Sequence, residues 1–99
     1  MATHVEIARF RLKADADEHT FLAAEQRIQN GEIRQQAGFI GRELVKNEAG
    51  EWSIIMHWAS RADADAWSAK FMQIPDGQAF ASQLDFPSMH QDHYDQVTF

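Results

Sequence analysis

Three histidines in this chain stand where they could move protons: His57, inside the apolar run from Trp52 to Ala59, and His90 and His93, among Asp92, Tyr94 and Asp95. A histidine held by a neighbouring carboxylate is a common general base. Each also has a simpler reading. His57 would be satisfied by a backbone or side-chain partner, or sit at a seam between two copies. His90 and His93 would belong to a polar edge strand that discourages aggregation. The spacing His-x-x-His invites a metal, but residues three apart on a strand point to opposite faces. By alternation Met89, Gln91, His93 and Asp95 share one side, and His90, Asp92 and Tyr94 the other. A metal centre would need His57 or His4 brought in by the fold, so none is expected.

The second group of chemically useful residues is aromatic. Trp67 and Phe71 are four apart and stack on one helical face. They either cap a ligand pocket or form a core pair. Trp58 and Tyr94 are further candidates to touch a flat ligand. Arg9 and Arg11 share one strand face, where they would hold an anion or, more simply, pair with the acidic last strand. There is no phosphate-cradling loop and no serine nucleophile elbow.

These residues need elements to position them. Val5 to Leu12 reads as a strand. Asp15, Asp17 and Glu18 offer capping groups for a helix from about Glu18 to about Gln36, with Phe21, Ala24 and Ile28 on one face. Asn30-Gly31 weakens its middle. Phe39 to Lys46 and Trp52 to Ala59 form a hairpin across the turn Asn47-Glu48-Ala49-Gly50. Ser60, three residues before Asp63, resembles a capping box opening a helix from about Arg61 to Met72. Pro75-Asp76-Gly77 turns the chain, Gln78 to Leu84 is a short helical piece, Asp85-Phe86-Pro87 is a loop, and Met89 to Val97 is the last strand. This β-α-β-β-α-β order predicts a ferredoxin-like α+β fold, a four-stranded antiparallel sheet with its helices on one face.

Trp52, Ile54, Met56 and Trp58 share one face of the third strand, and Ile55 and Ala59 lie on the other with Ser53 and His57. Both faces are largely apolar, helices cover only one, and the other is expected to expose an aromatic patch. A homodimer closed sheet against sheet is the simplest solution. Which face meets the helices decides whether His57 or Trp58 lines a pocket.

Composition narrows the function classes. Residues 1–99 suit one domain. Apolar residues at 44% and charged residues at 24% are ordinary for a globular chain. A net charge of −6 without a basic stripe argues against nucleic acid. No apolar run is long enough to cross a bilayer and no secretory signal is visible, so a cytoplasmic location is expected. The absence of cysteine removes disulfides and thiolate chemistry.

Gln36-Ala37-Gly38-Phe39-Ile40-Gly41 entering the second strand, and His57-Trp58-Ala59-Ser60 leading to Ala66-Trp67, resemble the antibiotic biosynthesis monooxygenases of the dimeric α+β barrel superfamily. The resemblance covers nearly the whole chain. It implies oxidation of a small phenol- or quinol-like aromatic without metal or flavin, with Trp67 at the position where a tryptophan lines the pocket. It leaves a non-catalytic small-molecule-binding or stress-related dimer as the alternative. A haem-degrading branch uses an asparagine on the first strand and a histidine about ten residues after that tryptophan. Here Ala8 and Gly77 stand there, or Gln83 and Leu84 if a short insertion is allowed, so haem degradation is not expected.

Overall fold

The computed structural model describes residues 2–99. The elements are β1 (His4–Leu12), α1 (Glu18–Asn30), a 3-10 turn (Glu32–Gln35), β2 (Phe39–Lys46), β3 (Trp52–Trp58), α2 (Arg61–Phe71), α3 (Pro75–Ala81) and β4 (Leu84–Asp95). The strands form one antiparallel sheet in the order β2-β3-β1-β4, the ferredoxin-like arrangement. The first strand therefore lies inside the sheet and pairs with both the third and the last.

Alternation decides which residues meet the helices. On β3, Trp52, Ile54, Met56 and Trp58 are buried, whereas Ser53, Ile55 and His57 are half-buried. The first set joins Phe10 of β1, Phe21, Ala24 and Ile28 of α1, Ala64 and Trp67 of α2, and Phe80 of α3 in one core. The aromatic face is thus the covered one. The open face differs from the expected aromatic patch. Register places Val5, Ile7 and Ile55 at its centre, with Tyr94 beside Val5 and Asp92 beside Ile7.

Asp17 caps α1, accepting from the backbone N–H groups of His19 and Thr20 at 3.0 and 3.4 Å and from the Thr20 hydroxyl at 2.9 Å. The Thr20 hydroxyl, foremost among these donors, holds the Asp17 carboxyl below its ordinary value. The helix stops at Asn30 and not at Gln36. A β-carbon at Gly31 would lie 2.8 Å from the Arg27 carbonyl oxygen, and the 3-10 turn that follows drops Ile33 into the core. At α2 the Ser60 hydroxyl accepts from the Asp63 N–H at 3.1 Å and donates to its carboxylate at 2.9 Å. Gly38 makes room for that cap. Its φ is +77°, and a β-carbon there would collide with the Asp63 carboxylate.

Two further boundaries depart from expectation. The last helix opens at Pro75 and not Gln78, because proline suits the first helical position, where no N–H is needed. The last strand begins at Leu84, through the segment expected to be a loop. Residues 86–89 bulge out opposite Phe10, so the ladder resumes with Arg9 opposite His90. Ser88 seals the bulge: its hydroxyl accepts from the Arg11 N–H at 2.8 Å and donates to the Asp85 carbonyl at 2.6 Å.

Candidate functional site

The bulge and the short α3 leave a cavity of about 230 Å³ between the sheet and the last two helices. Its sheet side is Glu6, Ala8 and Phe10 of β1 with Ile54 and Met56 of β3. Its helix side is Trp67, Ser68, Phe71 and Met72 of α2 with Phe80 and Ala81 of α3, and Phe86, Met89 and Gln91 of β4 complete the wall. The lining is overwhelmingly apolar, with a few polar groups, the usual composition of a small-molecule site. Phe71 stands edge-on to both Trp67 and Phe80, with ring centroids 5.9 and 5.7 Å apart, which fixes the aromatic wall.

Two charged side chains border this apolar space. Arg42, projecting from β2, forms a two-pronged ion pair with Glu25 of α1: Nη2 to Oε1 is 2.8 Å and Nε to Oε2 is 2.9 Å. Both side chains are almost fully buried. The guanidinium also lies over the rings of Phe71 and Phe80, at 5.6 and 5.4 Å from their centroids, and donates to Met56 Sδ at 3.4 Å. Arg42, and not Glu25, lines the cavity, so the positive end of the pair is the one at the wall.

Glu6 is the second. It is 1% exposed and stands on the covered face of β1, between Met56 of β3 and His93 of β4 in register. Its Oε1 accepts from Gln91 Nε2. Its Oε2 is buried with no partner. The indole N–H of Trp67 is likewise buried and unpartnered. Such groups are rare in folded proteins because each forfeits its hydration, and each calls for an explanation.

The expected site residues are divided between this cavity and two other places. Trp67 and Phe71 are in its wall. Trp58 is fully buried on the same face of the sheet, edge-on to Phe39 at 5.5 Å, and is not among the lining residues. Arg9, His57, His90 and Tyr94 are on the open face: Arg9 opposite His90, His57 opposite Val5, and Tyr94 also opposite Val5. His93 is on the covered face, where its Nδ1 is 2.9 Å from His4 Nε2 and the two rings stack at 5.1 Å. None of the three histidines lines the cavity. Arg9 and Arg11 form no salt bridge among the described residues, against the expected pairing with the last strand, and Arg11 donates instead to the Ala49 carbonyl at 3.0 Å. The fold does bring His4 to His93, but no group of three His, Cys, Asp or Glu among the described residues is placed to hold a metal ion.

Sequence reading passed over Glu6, Gln91, Arg42 and Phe80. A signal for Glu6 existed: in Val5 to Leu12 it shares its alternating face with Phe10 and Leu12, so a core-facing Phe10 brings a carboxyl inward with it. The two positions weighed for haem chemistry are also explained. Ala8 lines the cavity without offering a polar group. Gly77 has no room for any side chain, since a β-carbon there would collide with the Phe71 carbonyl oxygen.

A four-stranded antiparallel sheet with its helices on one face and an apolar cavity beneath them defines a ferredoxin-like α+β domain. Within it, residues 3–81 match the model of the antibiotic biosynthesis monooxygenase family, and the chain belongs to that family. SnoaB, a cofactor-independent oxygenase from Streptomyces nogalater, is similar over 100% of this chain and 97% of its own, with a TM-score of 0.78 and 13% identity. Protein SO0527 from Shewanella oneidensis is similar over 96% of this chain and 91% of its own, with a TM-score of 0.68 and 20% identity. Rv0793 from Mycobacterium tuberculosis covers 99% and 98% respectively, at a TM-score of 0.68 and 17% identity. These likenesses establish a shared fold. None of the curated proteins matches the chain. No helix among the described residues is long and apolar enough to cross a membrane.

Proposed function

We propose that this protein is a monooxygenase that oxidises a small phenol- or quinol-like aromatic in the cavity beneath α2 and α3, without metal or flavin, as a homodimer. The observation that carries the reading is the cavity itself: an apolar space walled by Trp67, Phe71 and Phe80, in a chain of the monooxygenase family. The aromatic wall suits a flat ring, excludes water and holds the ring in one orientation. Arg42 offers the positive end of its ion pair with Glu25 to an electron-rich anion. Such an anion reacts with O2 directly. For a quinol the balance is one quinol and one O2 giving one hydroxyquinone and one water. A ring C–H becomes C–OH, and the quinol itself is oxidised to the quinone. The substrate thus supplies the electrons, and the second oxygen atom leaves as water.

The homodimer is supported by the open sheet face, whose centre of Val5, Ile7 and Ile55 is suited to a second copy of itself. The test of activity is oxygen uptake with a series of naphthohydroquinones and phenols, against their autoxidation without protein. We expect uptake in the wild type and a fall on the order of 10²-fold in kcat/KM for Trp67→Phe, which keeps apolar bulk but loses the indole. Tight binding of a ring compound with no oxygen uptake for any of them would replace the oxygenase by a binding protein.

A further inference from the structure

We propose that Glu6 is the proton acceptor of this cavity, and that Gln91 is the positioning residue that directs its free oxygen to the ligand. The assignment rests on the phenol-binding reading given above. Three observations meet at Glu6. It lines the cavity, it is 1% exposed, and one of its two carboxyl oxygens has no partner. A carboxyl kept in an apolar wall with one oxygen unpaired is costly, and a ligand hydroxyl is the group that would satisfy it. Gln91 occupies Oε1 by donating its amide N–H, which leaves Oε2 as the acceptor. The unpartnered indole N–H of Trp67, on the helix side of the cavity, is complementary: it would donate to a ligand that Glu6 accepts from. Together they specify a ligand that carries an O–H and a carbonyl or ether oxygen on one ring system.

The step balances simply. The ligand O–H bond breaks, its electron pair stays on oxygen, and the proton moves to Glu6 Oε2. A neutral phenol and a carboxylate become a phenolate and a carboxylic acid. Arg42 also lines the cavity and would present the positive end of its ion pair with Glu25 to the charge that the ligand gains. The histidines expected to serve as base are outside the cavity lining. Glu6 therefore has the more direct geometry for abstraction.

The experiment uses 4-nitrophenol, at a pH where the free compound is the neutral phenol and its anion is yellow, together with oxygen uptake on a naphthohydroquinone. We expect the wild type to bind the probe as the yellow anion, with a protonated-carboxyl stretch appearing in the infrared difference spectrum. Glu6→Gln should bind the probe colourless, lose on the order of 10²-fold or more in kcat, and melt no lower than wild type, because it removes a buried charge. Gln91→Leu should lower kcat with KM little changed. The assignment is overturned if the wild type fails to bind the probe or binds it neutral, or if Glu6→Gln still ionises it. It is equally overturned if turnover survives in Glu6→Gln and is lost in His57→Gln, His90→Gln or His93→Gln. Should Glu6→Gln not fold, the wild-type infrared spectrum decides: the carboxyl band on probe binding supports the assignment, and its absence removes it. A wild type that ionises the probe but never consumes oxygen would leave Glu6 as the acceptor and remove the oxygenase reading alone.

Discussion

A buried charge is costly at the scale of one residue, and this core holds carboxyls on Glu6 and Glu25 and the guanidinium of Arg42. The last two neutralise each other with good geometry, and the pair is held further by Gln29, which donates to Glu25 Oε2 at 2.9 Å. Removing one partner strands the other. Glu25→Gln or Arg42→Met should each lower the unfolding free energy by about 3–5 kcal/mol, whereas the double replacement Glu25→Leu with Arg42→Met should be near neutral. Urea unfolding measures all three, and single variants within about 1 kcal/mol of wild type would show the pair to be dispensable. Helical spacing put Trp67 and Phe71 on one face, as a pocket cap or a core pair, but the charged groups beside them went unread. The reason is physical. Spacing along one element locates a face, while Arg42 meets Glu25 and Glu6 meets Gln91 only across different elements, 17 and 85 residues apart in the chain.

Among the elements, strands were more legible than helix ends. Residue type made Val5 to Leu12 and Trp52 to Ala59 legible as strands, since both are rich in branched and aromatic residues. It could not say which face of β3 meets the helices, a choice made by packing. The end of α1 turned on the close approach of Gly31 to Arg27, and the start of β4 on a bulge, neither of which leaves a periodic signal. The N-terminus of α1 was legible, since Asp17 is a good cap in any context. Its contribution should also depend on pH. The folded-state carboxyl is held below its ordinary value, so the cap stabilises fully above that ordinary value and loses its effect as pH falls through the lowered one. Asp17→Ala should therefore melt below wild type at neutral pH, with the gap narrowing in acid. Thermal melts across that range test it, and a gap that does not change with pH would assign the effect to something other than the ionised cap.

For the whole molecule, the open sheet face is the deciding feature. A single copy leaves Val5, Ile7, Ile55 and Tyr94 on a surface that no helix covers. Self-association would bury them and move His57 and Tyr94 into a shared seam. Ile7→Glu together with Ile55→Glu places like charges there and should convert a dimer to a monomer in light scattering, with secondary structure retained. A wild-type chain that is monomeric at micromolar concentration would remove the dimer.

The strand order has a kinetic consequence too. Because β1 pairs with β4, His4 meets Asp95 across nearly the whole chain, and the ladder that seats Gln91 beside Glu6 closes over the longest loop in the molecule. Long-range pairing is slow to form, since its entropy must be lost before its contacts are gained. The cavity is therefore complete only in chains that have made this long-range pairing. Ligand-binding capacity during refolding will count those chains, and it should lag behind the recovery of helix.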